Sequence, residues 1–474
     1  MENDIFTGMK ALVMGLGLHG GGVETARYLV ERGAEVTVTD LRDESVLVPS
    51  LEKLTNHQIR YVLGRHEIED FRAADFVVKN PGVRSDSPYL KAARRIETDI
   101  SLFLAACPAR IIAVTGSKGK SSVSSALYWA LNEGRTIGLE GGKVRLGGNI
   151  ALSPLSFLDE LKETDDVVLE LSSWQLGDIA GRDLLKPRAA VITPIMRDHM
   201  DRYDSMEAYV ADKRIIYGSQ DIGDVTVAMD DDWGRDFLRE SRGRPLLYSD
   251  KLLAEGISGG WIENPAGPGF ARLYKTHAAS KVKAGGILEV VPERPMVPGR
   301  HQKQNLLAAA LALLDLGLDA GFIRESLGRF PGIEHRLEFF HESGNIRFYN
   351  DSTATIPEAA AAAITAFEKP PLLVCGGTDK ELDFEPLAGA AGNTKGIILL
   401  AGTGSEKLKR LLDSAGVKYR GPFDSMEAVL GAVLETAAPG DIVVLSPGCA
   451  SFGMFLNEFD RGQKWKSAVR RLFK

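Results

Sequence analysis

The sequence predicts an α/β protein of three domains. Short apolar strands alternate with helical patterns from end to end, which is the signature of parallel sheets with right-handed crossovers. Two of those strands run straight into glycine-rich loops that open a helix, at Gly15–Gly20 and at Gly116–Lys120. The length of 474 residues exceeds what a single core organises and suggests about three domains. The expected layout is a Rossmann-like N-terminal domain (1–108), a central P-loop ATPase-like α/β domain (109–332) and a Rossmann-like C-terminal domain (333–474).

In the first block Lys10–Met14 reads as a buried strand, Gly15–Gly22 as a turn, Val23–Arg32 as a helix and Glu35–Asp40 as a second strand. Phe76–Val78 is another strand, running into the turn Asn80-Pro81-Gly82. The second block opens on strand Arg110–Val114, loop Thr115–Lys120 and a helix from about Ser121 to Asn132. Asp166–Leu171 and Ala189–Thr193 follow as buried strands. Residues 243–298 are rich in glycine and proline and read as a small β excursion, before the alanine- and leucine-rich helix Asn305–Leu316. Phe330-Pro331-Gly332 is a candidate hinge. Beyond it lie helix Pro357–Phe367 and strands Pro371–Val374, Gly396–Ala401 and Asp441–Leu445.

Composition narrows the function classes. The net charge of −7 argues against a general nucleic-acid binder, which is normally basic. Three cysteines, Cys107, Cys375 and Cys449, give neither a metal pair nor a disulfide framework. The N-terminus carries no apolar signal core, and no stretch approaches the ~20 apolar residues of a membrane span. A cytoplasmic, monomeric protein without nucleic-acid or membrane partners is expected.

Four motifs carry chemistry. Gly15-Leu16-Gly17-Leu18-His19-Gly20, with Asp40 downstream, fits a dinucleotide fingerprint, a UDP-sugar site, or glycines serving only strand–helix packing. Thr115-Gly116-Ser117-Lys118-Gly119-Lys120-Ser121-Ser122 sits where a phosphate loop should. Its backbone N–H groups would cradle phosphates, Lys120 would reach the terminal ones and Ser121 would ligate Mg²⁺. It is two residues shorter than the full Walker spacing, and a turn of small residues is the bland alternative. Glu170, ending a strand before Leu171-Ser172-Ser173-Trp174-Gln175-Leu176, is a hard-oxygen Mg²⁺ ligand or a helix-start carboxylate. Asp198-His199-Met200-Asp201-Arg202-Tyr203 places a histidine after a third strand, and Lys213, taken alone, reads as a solvated lysine.

Taken together these residues resemble the Mur ligases. The short loop Gly116–Ser121, the Glu170–Leu176 stretch and the Asp198–Tyr203 stretch carry the resemblance. So do Gly148-Asn149-Ile150, His335-Arg336-Leu337-Glu338, Asn350-Asp351-Ser352 and Leu445-Ser446-Pro447-Gly448-Cys449-Ala450-Ser451. The resemblance implies ATP-dependent addition of D-glutamate to UDP-N-acetylmuramoyl-L-alanine through an acyl phosphate. It assigns Leu18, Asp40, Arg42 and Asn149 to the UDP substrate. It assigns Gly116 to Ser122, Asn305, Arg336 and Asp351 to ATP. Ser121, Glu170, His199 and a carbamylated Lys213 would serve two Mg²⁺ ions, and Lys380 and Ser451 the amino acid. Lys120, His199 and Lys213 would be the catalytic set.

Three departures from the family pattern stand out. Thr353 replaces a lysine in Asp351-Ser352-Thr353-Ala354-Thr355-Ile356, the adenine-side stretch reads His301-Gln302-Lys303-Gln304-Asn305, and Glu458 takes the place of a phenylalanine, with Phe459 next. The first and third bear on the amino-acid pocket. The alternatives are therefore a ligase adding L-glutamate or another amino acid, a folylpolyglutamate-type ligase, and an NAD-dependent dehydrogenase resting on the first glycine motif alone.

Overall fold

The structure is a computed structural model that describes residues 5–18, 20–84, 86–150, 152–274 and 284–473. His19 of the first glycine motif, residues 1–4 of the N-terminus and residues 275–283 of the glycine- and proline-rich stretch lie outside the described residues. The chain divides into two compact units, of which the first comprises Met1–Glu263, Phe270–Val290 and Leu307–Ile323. The second comprises Asn264–Gly269, Val291–Leu306 and Arg324–Lys474.

The first unit holds two sheets. In the N-terminal one, Lys10–Met14 pairs in parallel with Glu35–Asp40 on one side and Phe76–Lys79 on the other. Ile59–Leu63 and Ile96–Glu97 flank them, also in parallel. Successive strands are thus added on both sides of the first, so the chain leaves Met14 at a switch point, where a crevice opens beyond the strand ends. The helix after the loop begins at Gly21 rather than Val23 because Gly20, at φ 93°, caps it in a left-handed turn that favours glycine.

In the second sheet, Arg110–Thr115 lies between Asp166–Glu170 and Ala189–Ile192, all parallel. Apolar faces of both sheets share one core that includes Val13, Val38, Phe103, Ala113, Leu169 and Ile192. The expected β excursion is part of this second sheet. Arg244–Ser249 and Gly259–Trp261 extend it in parallel, and Gly269–Arg272 turns back antiparallel. Short strands interrupted by glycine do not reveal from sequence that their free edges are already paired.

The second unit carries a six-stranded sheet in which Ile346–Asn350, Ile442–Leu445 and Leu372–Gly376 run side by side in parallel. The hairpin partner Glu338–Ser343 and the C-terminal helix Glu458–Leu472 were not marked by the sequence reading. The helix covers one face of the sheet, with Trp465 fully buried against Phe348 and Phe473 in one cluster. No helix among the described residues is long and apolar enough to cross a membrane.

Candidate active site

Three adjacent strand ends of the first unit deliver the central motifs to one place. Arg110–Thr115 leads into the phosphate loop, Asp166–Glu170 ends on the carboxylate, and Ala189–Ile192 leads toward Asp198 and His199. The loop is tied to both neighbours: the Thr115 hydroxyl donates to Leu171 O (2.8 Å) and Thr193 Oγ1 donates to Thr115 O (3.1 Å). Gly116 sits at φ 138°, and a Cβ there would run into Thr193 Oγ1, so only glycine lets the loop pass so close. The Ser117 hydroxyl lies 2.9 Å from the Tyr209 hydroxyl and accepts from Met196 N (2.9 Å), which fixes the loop from the far side. Helix Lys120–Thr136 then starts with Gly119 at its N-cap, with Ser121 and Ser122 in its first turn. Unsatisfied first-turn N–H groups make that end suited to an anion.

Two ammonium groups converge on one carbonyl. Lys120 Nζ donates to Gly116 O (3.0 Å) and Ser117 O (3.1 Å), while Lys213 Nζ donates to the same Gly116 O (2.9 Å). Lys213 is 1% exposed, so the solvated lysine of the sequence reading is in fact buried. Burial, with the charge of Lys120 in addition, pushes its ammonium down to about 7. Helix Met206–Arg214 aims it inward, and Tyr209 covers it at 4.5 Å from the ring centroid.

Glu170 is 2% exposed, and Asn149 donates to its Oε1 (3.2 Å), while Asn149 N donates to Glu170 O (2.7 Å). Two residues that the sequence keeps apart are therefore one element of the site. His199 holds a left-handed backbone at φ 56° and an exposed ring 4.8 Å from Trp174. Asp198 accepts from His199 N (3.1 Å) and from Lys118 Nζ (3.2 Å), and that ion pair helps hold its carboxyl below the usual range. Arg202 was not singled out as a site residue. Its guanidinium lies 3.9 Å over the Trp174 ring and donates to Gly82 O (2.8 Å), tying the N-terminal turn to the helix that follows Glu170. A cavity of about 500 Å³ lined by Lys79, Trp174, Asp178, Arg202 and Tyr203 opens there. A larger one of about 900 Å³ lies at Lys10, Glu35 and Ile59, the wrong ends of the N-terminal strands for a ligand crevice.

No group of three or more His, Cys, Asp or Glu side chains that could hold a metal occurs among the described residues. A buried carboxylate at one strand end and a first-turn hydroxyl after the neighbouring strand are nevertheless donors that suit Mg²⁺, which keeps waters and takes its remaining ligands from a nucleotide's phosphates.

In the N-terminal sheet the Asp40 carboxylate accepts from Gly17 N (3.0 Å) and Arg42 N (2.9 Å). It shapes the glycine loop itself. Leu18 and Arg42 are exposed at the rim.

The second unit brings its own set together at three adjacent strand ends. Asp351 and Ser352 follow Ile346–Asn350, Ser446 to Ser451 follow Ile442–Leu445, and Lys380 follows Leu372–Gly376. Asp351 Oδ1 accepts from Leu337 N (3.0 Å) and Oδ2 from the Ser446 hydroxyl (2.6 Å). Arg336 is exposed beside it, between His335 and Leu337, which both have positive φ. Thr353 is committed to the frame, since its N–H (3.1 Å) and hydroxyl (2.8 Å) both donate to His335 O. Ser451 is buried, and Lys380 is exposed with its ammonium 5.1 Å from the Phe452 ring. Asn305, also in this unit, is buried and donates to Gln302 Oε1 (3.1 Å).

Burial pushes the Asp351 carboxyl up to about 7, against the pull of its two hydrogen bonds and Arg336. An unfolded aspartate titrates near ~3.9. The folded chain thus keeps an extra proton between these values, and that contribution to stability is complete below the lower value and lost as pH rises through the upper one. Melting curves from pH 5 to 8 should show Asp351→Asn gaining on the wild type as pH rises. A difference that stays flat would mean the carboxylate is ionised throughout.

Strand ends that present a phosphate loop, a buried carboxylate and a buried lysine define a nucleotide-dependent phosphoryl-transfer enzyme. Three family models match in order: Mur ligase MurD-like N-terminal domain at residues 9–101, Mur ligase middle domain at 114–313, and Mur ligase glutamate ligase domain at 335–449. The UDP-N-acetylmuramoylalanine--D-glutamate ligase of Treponema pallidum (strain Nichols) is 38% identical over 99% of both chains. Its counterpart in Roseiflexus sp. (strain RS-1) is 39% identical over 98% of both. The chain belongs to the Mur ligase family, and it has that family's three-domain fold. Among solved structures, the UDP-N-acetylmuramate-alanine ligase of Thermotoga maritima matches 98% of this chain and 99% of its own with TM-score 0.56 and 20% identity. The MurF ligase of the same organism, in complex with ADP, matches 99% and 97% with TM-score 0.51 and 17% identity.

Proposed function

We propose that this chain is the ATP-dependent ligase that joins D-glutamate to UDP-N-acetylmuramoyl-L-alanine in peptidoglycan synthesis. The observation that carries the reading is the convergence of Lys120 and Lys213 on the phosphate-loop carbonyl of Gly116, with the Asn149–Glu170 pair at the neighbouring strand end, in a chain that matches D-glutamate ligases along its whole length. Residues 1–108 bind the UDP moiety through Leu18, Asp40 and Arg42, residues 109–332 bind ATP, and residues 333–474 present the amino acid. The enzyme works as a monomer in the cytoplasm.

The substrate's alanyl carboxylate attacks the γ-phosphorus of ATP, and ADP leaves to give an acyl phosphate. The amine of D-glutamate attacks the activated carbonyl. The tetrahedral intermediate loses a proton and expels phosphate as the amide forms. Lys120 and the first-turn N–H groups of helix Lys120–Thr136 stabilise charge on the transferring phosphoryl group. Asn149, held on Glu170, orients the sugar-peptide, and Asn305, Arg336 and Asp351 hold the nucleotide. Lys380 and Ser451 bind the glutamate carboxylates. Mg²⁺, when bound with ATP, supplies further charge neutralisation, and Ser121, Glu170, His199 and carbamylated Lys213 are the residues that would hold it.

The test is ADP release from purified protein with ATP, Mg²⁺ and UDP-N-acetylmuramoyl-L-alanine. Release that requires D-glutamate is expected. Release with L-glutamate in its place would move the specificity, and no release with either would remove the ligase reading.

A further inference from the structure

Arg461 has no part in the chemistry above, yet it is 0% exposed, and no carboxylate lies within ion-pair distance of it among the described residues. A buried guanidinium without a counterion is costly and persists only where its donors are satisfied in a fixed frame. The frame here consists of the candidate site loops. Nε donates to the Ser352 hydroxyl (3.0 Å), Nη2 to Ser352 O (2.8 Å) and Nη1 to Cys449 O (3.1 Å). The Ser352 hydroxyl passes the chain on by donating to Glu458 O (2.7 Å).

The two loops so joined are those that carry Asp351 and Ser451. The third is coupled through the backbone, because Thr378 N donates to Ala450 O (3.0 Å) and Ala450 N to Thr378 O (3.1 Å), two residues before Lys380. Gly462 completes the arrangement, since a Cβ there would collide with the His335 ring next to Arg336. One dipeptide of the C-terminal helix thus ties the loops at two adjacent strand ends together, and the third follows through the backbone pairing of Thr378 with Ala450. The helix has separate anchors: Trp465 Nε1 donates to Tyr349 O (3.1 Å), and Lys466 bridges Glu334 and Glu338 at 2.8 Å each. Fixing the helix does not account for Arg461.

We propose that Arg461 is a positioning residue for the amino-acid substrate, holding the Ser352 and Cys449 loops at the separation that lets Ser451 and Lys380 receive its carboxylates. This rests on the glutamate-ligase reading. Only a planar fork reaches both loops at once, so lysine is not an equivalent replacement.

The test compares the full-length wild type with Arg461→Lys and Ser352→Ala, checking folding by circular dichroism and melting. ADP release is measured against D-glutamate concentration at saturating ATP and UDP substrate, and calorimetry measures binding of the UDP substrate. The expected result is a KM for D-glutamate raised 10-fold or more in Arg461→Lys and several-fold in Ser352→Ala, with UDP-substrate affinity unchanged. Folded variants with wild-type KM for D-glutamate would overturn the proposal and leave Arg461 a packing residue. If Arg461→Lys does not fold, Ser352→Ala decides alone by the same criterion. A wild type that releases no ADP with D-glutamate would instead remove the ligase reading, whatever the variants do.

Discussion

Replacing Lys120 with alanine is expected to slow D-glutamate-dependent ADP release by roughly 10³-fold, or about 4 kcal/mol of transition-state stabilisation. The ammonium is held by Gly116 O and Ser117 O, so the loop's own backbone fixes where it stands. A preorganised cation aimed at developing phosphoryl charge costs little reorganisation when the reaction occurs. The side chain is only half-buried, so the melting temperature should change little. Binding of the UDP substrate, proposed to use the N-terminal sheet, should be untouched. Steady-state ADP release gives the answer, and a variant with the wild-type rate would rule the loop out as the phosphate site.

Lys213 gives the second large effect, with its own signature in stability. Lys213→Met should lower activity by about 10²-fold or more. It should leave the protein as stable or more so, because it removes a buried cation that has no ion pair among the described residues and replaces it with an apolar chain of similar length. A lysine kept only for packing would lose stability and keep its rate. The physical reason for its role is the environment. Burial and the neighbouring Lys120 push the ammonium down to about 7, so much of the amine is neutral at slightly alkaline pH. A neutral amine adds to CO₂ with loss of a proton, turning a cation into a carboxylate that can ligate one. Wild-type activity should fall in CO₂-stripped buffer and return with bicarbonate. A ¹³C-bicarbonate label should give a carbamate resonance in the wild type and none in Lys213→Met. Activity indifferent to bicarbonate would leave the lysine unmodified.

The strands were legible where each was a short apolar run closed by a turn. Lys10–Met14 and Glu35–Asp40 have the bounds expected, because a buried parallel strand has little freedom in its sequence. Helix starts shifted by one or two residues at Gly21 and Lys120, since a left-handed glycine cap lets the helix begin directly after it. Residues 243–298 could not be placed correctly, because edge pairing depends on partners far away in the chain. The hairpin at Glu338–Ser343 carries mixed polar and apolar residues and gave no clear period.

Within the site, Lys120, Glu170 and His199 could be read from their motifs, each at the end of an apolar strand. Lys213 could not, for in a helix of mixed polarity nothing local separates a buried lysine from a solvated one. Arg202 and Arg461 were missed for the same reason, being ordinary arginines until the residues opposite them are known. The sequence by itself determined the order of strands, loops and helices and the chemical types at the strand ends, because those follow from local periodicity and backbone geometry. Only the tertiary structure decided that Asn149 rests on Glu170, that Lys120 and Lys213 share one carbonyl, and that Arg461 joins two loops. Burial and the meeting of distant residues are properties of the packed chain and leave no local trace in the sequence.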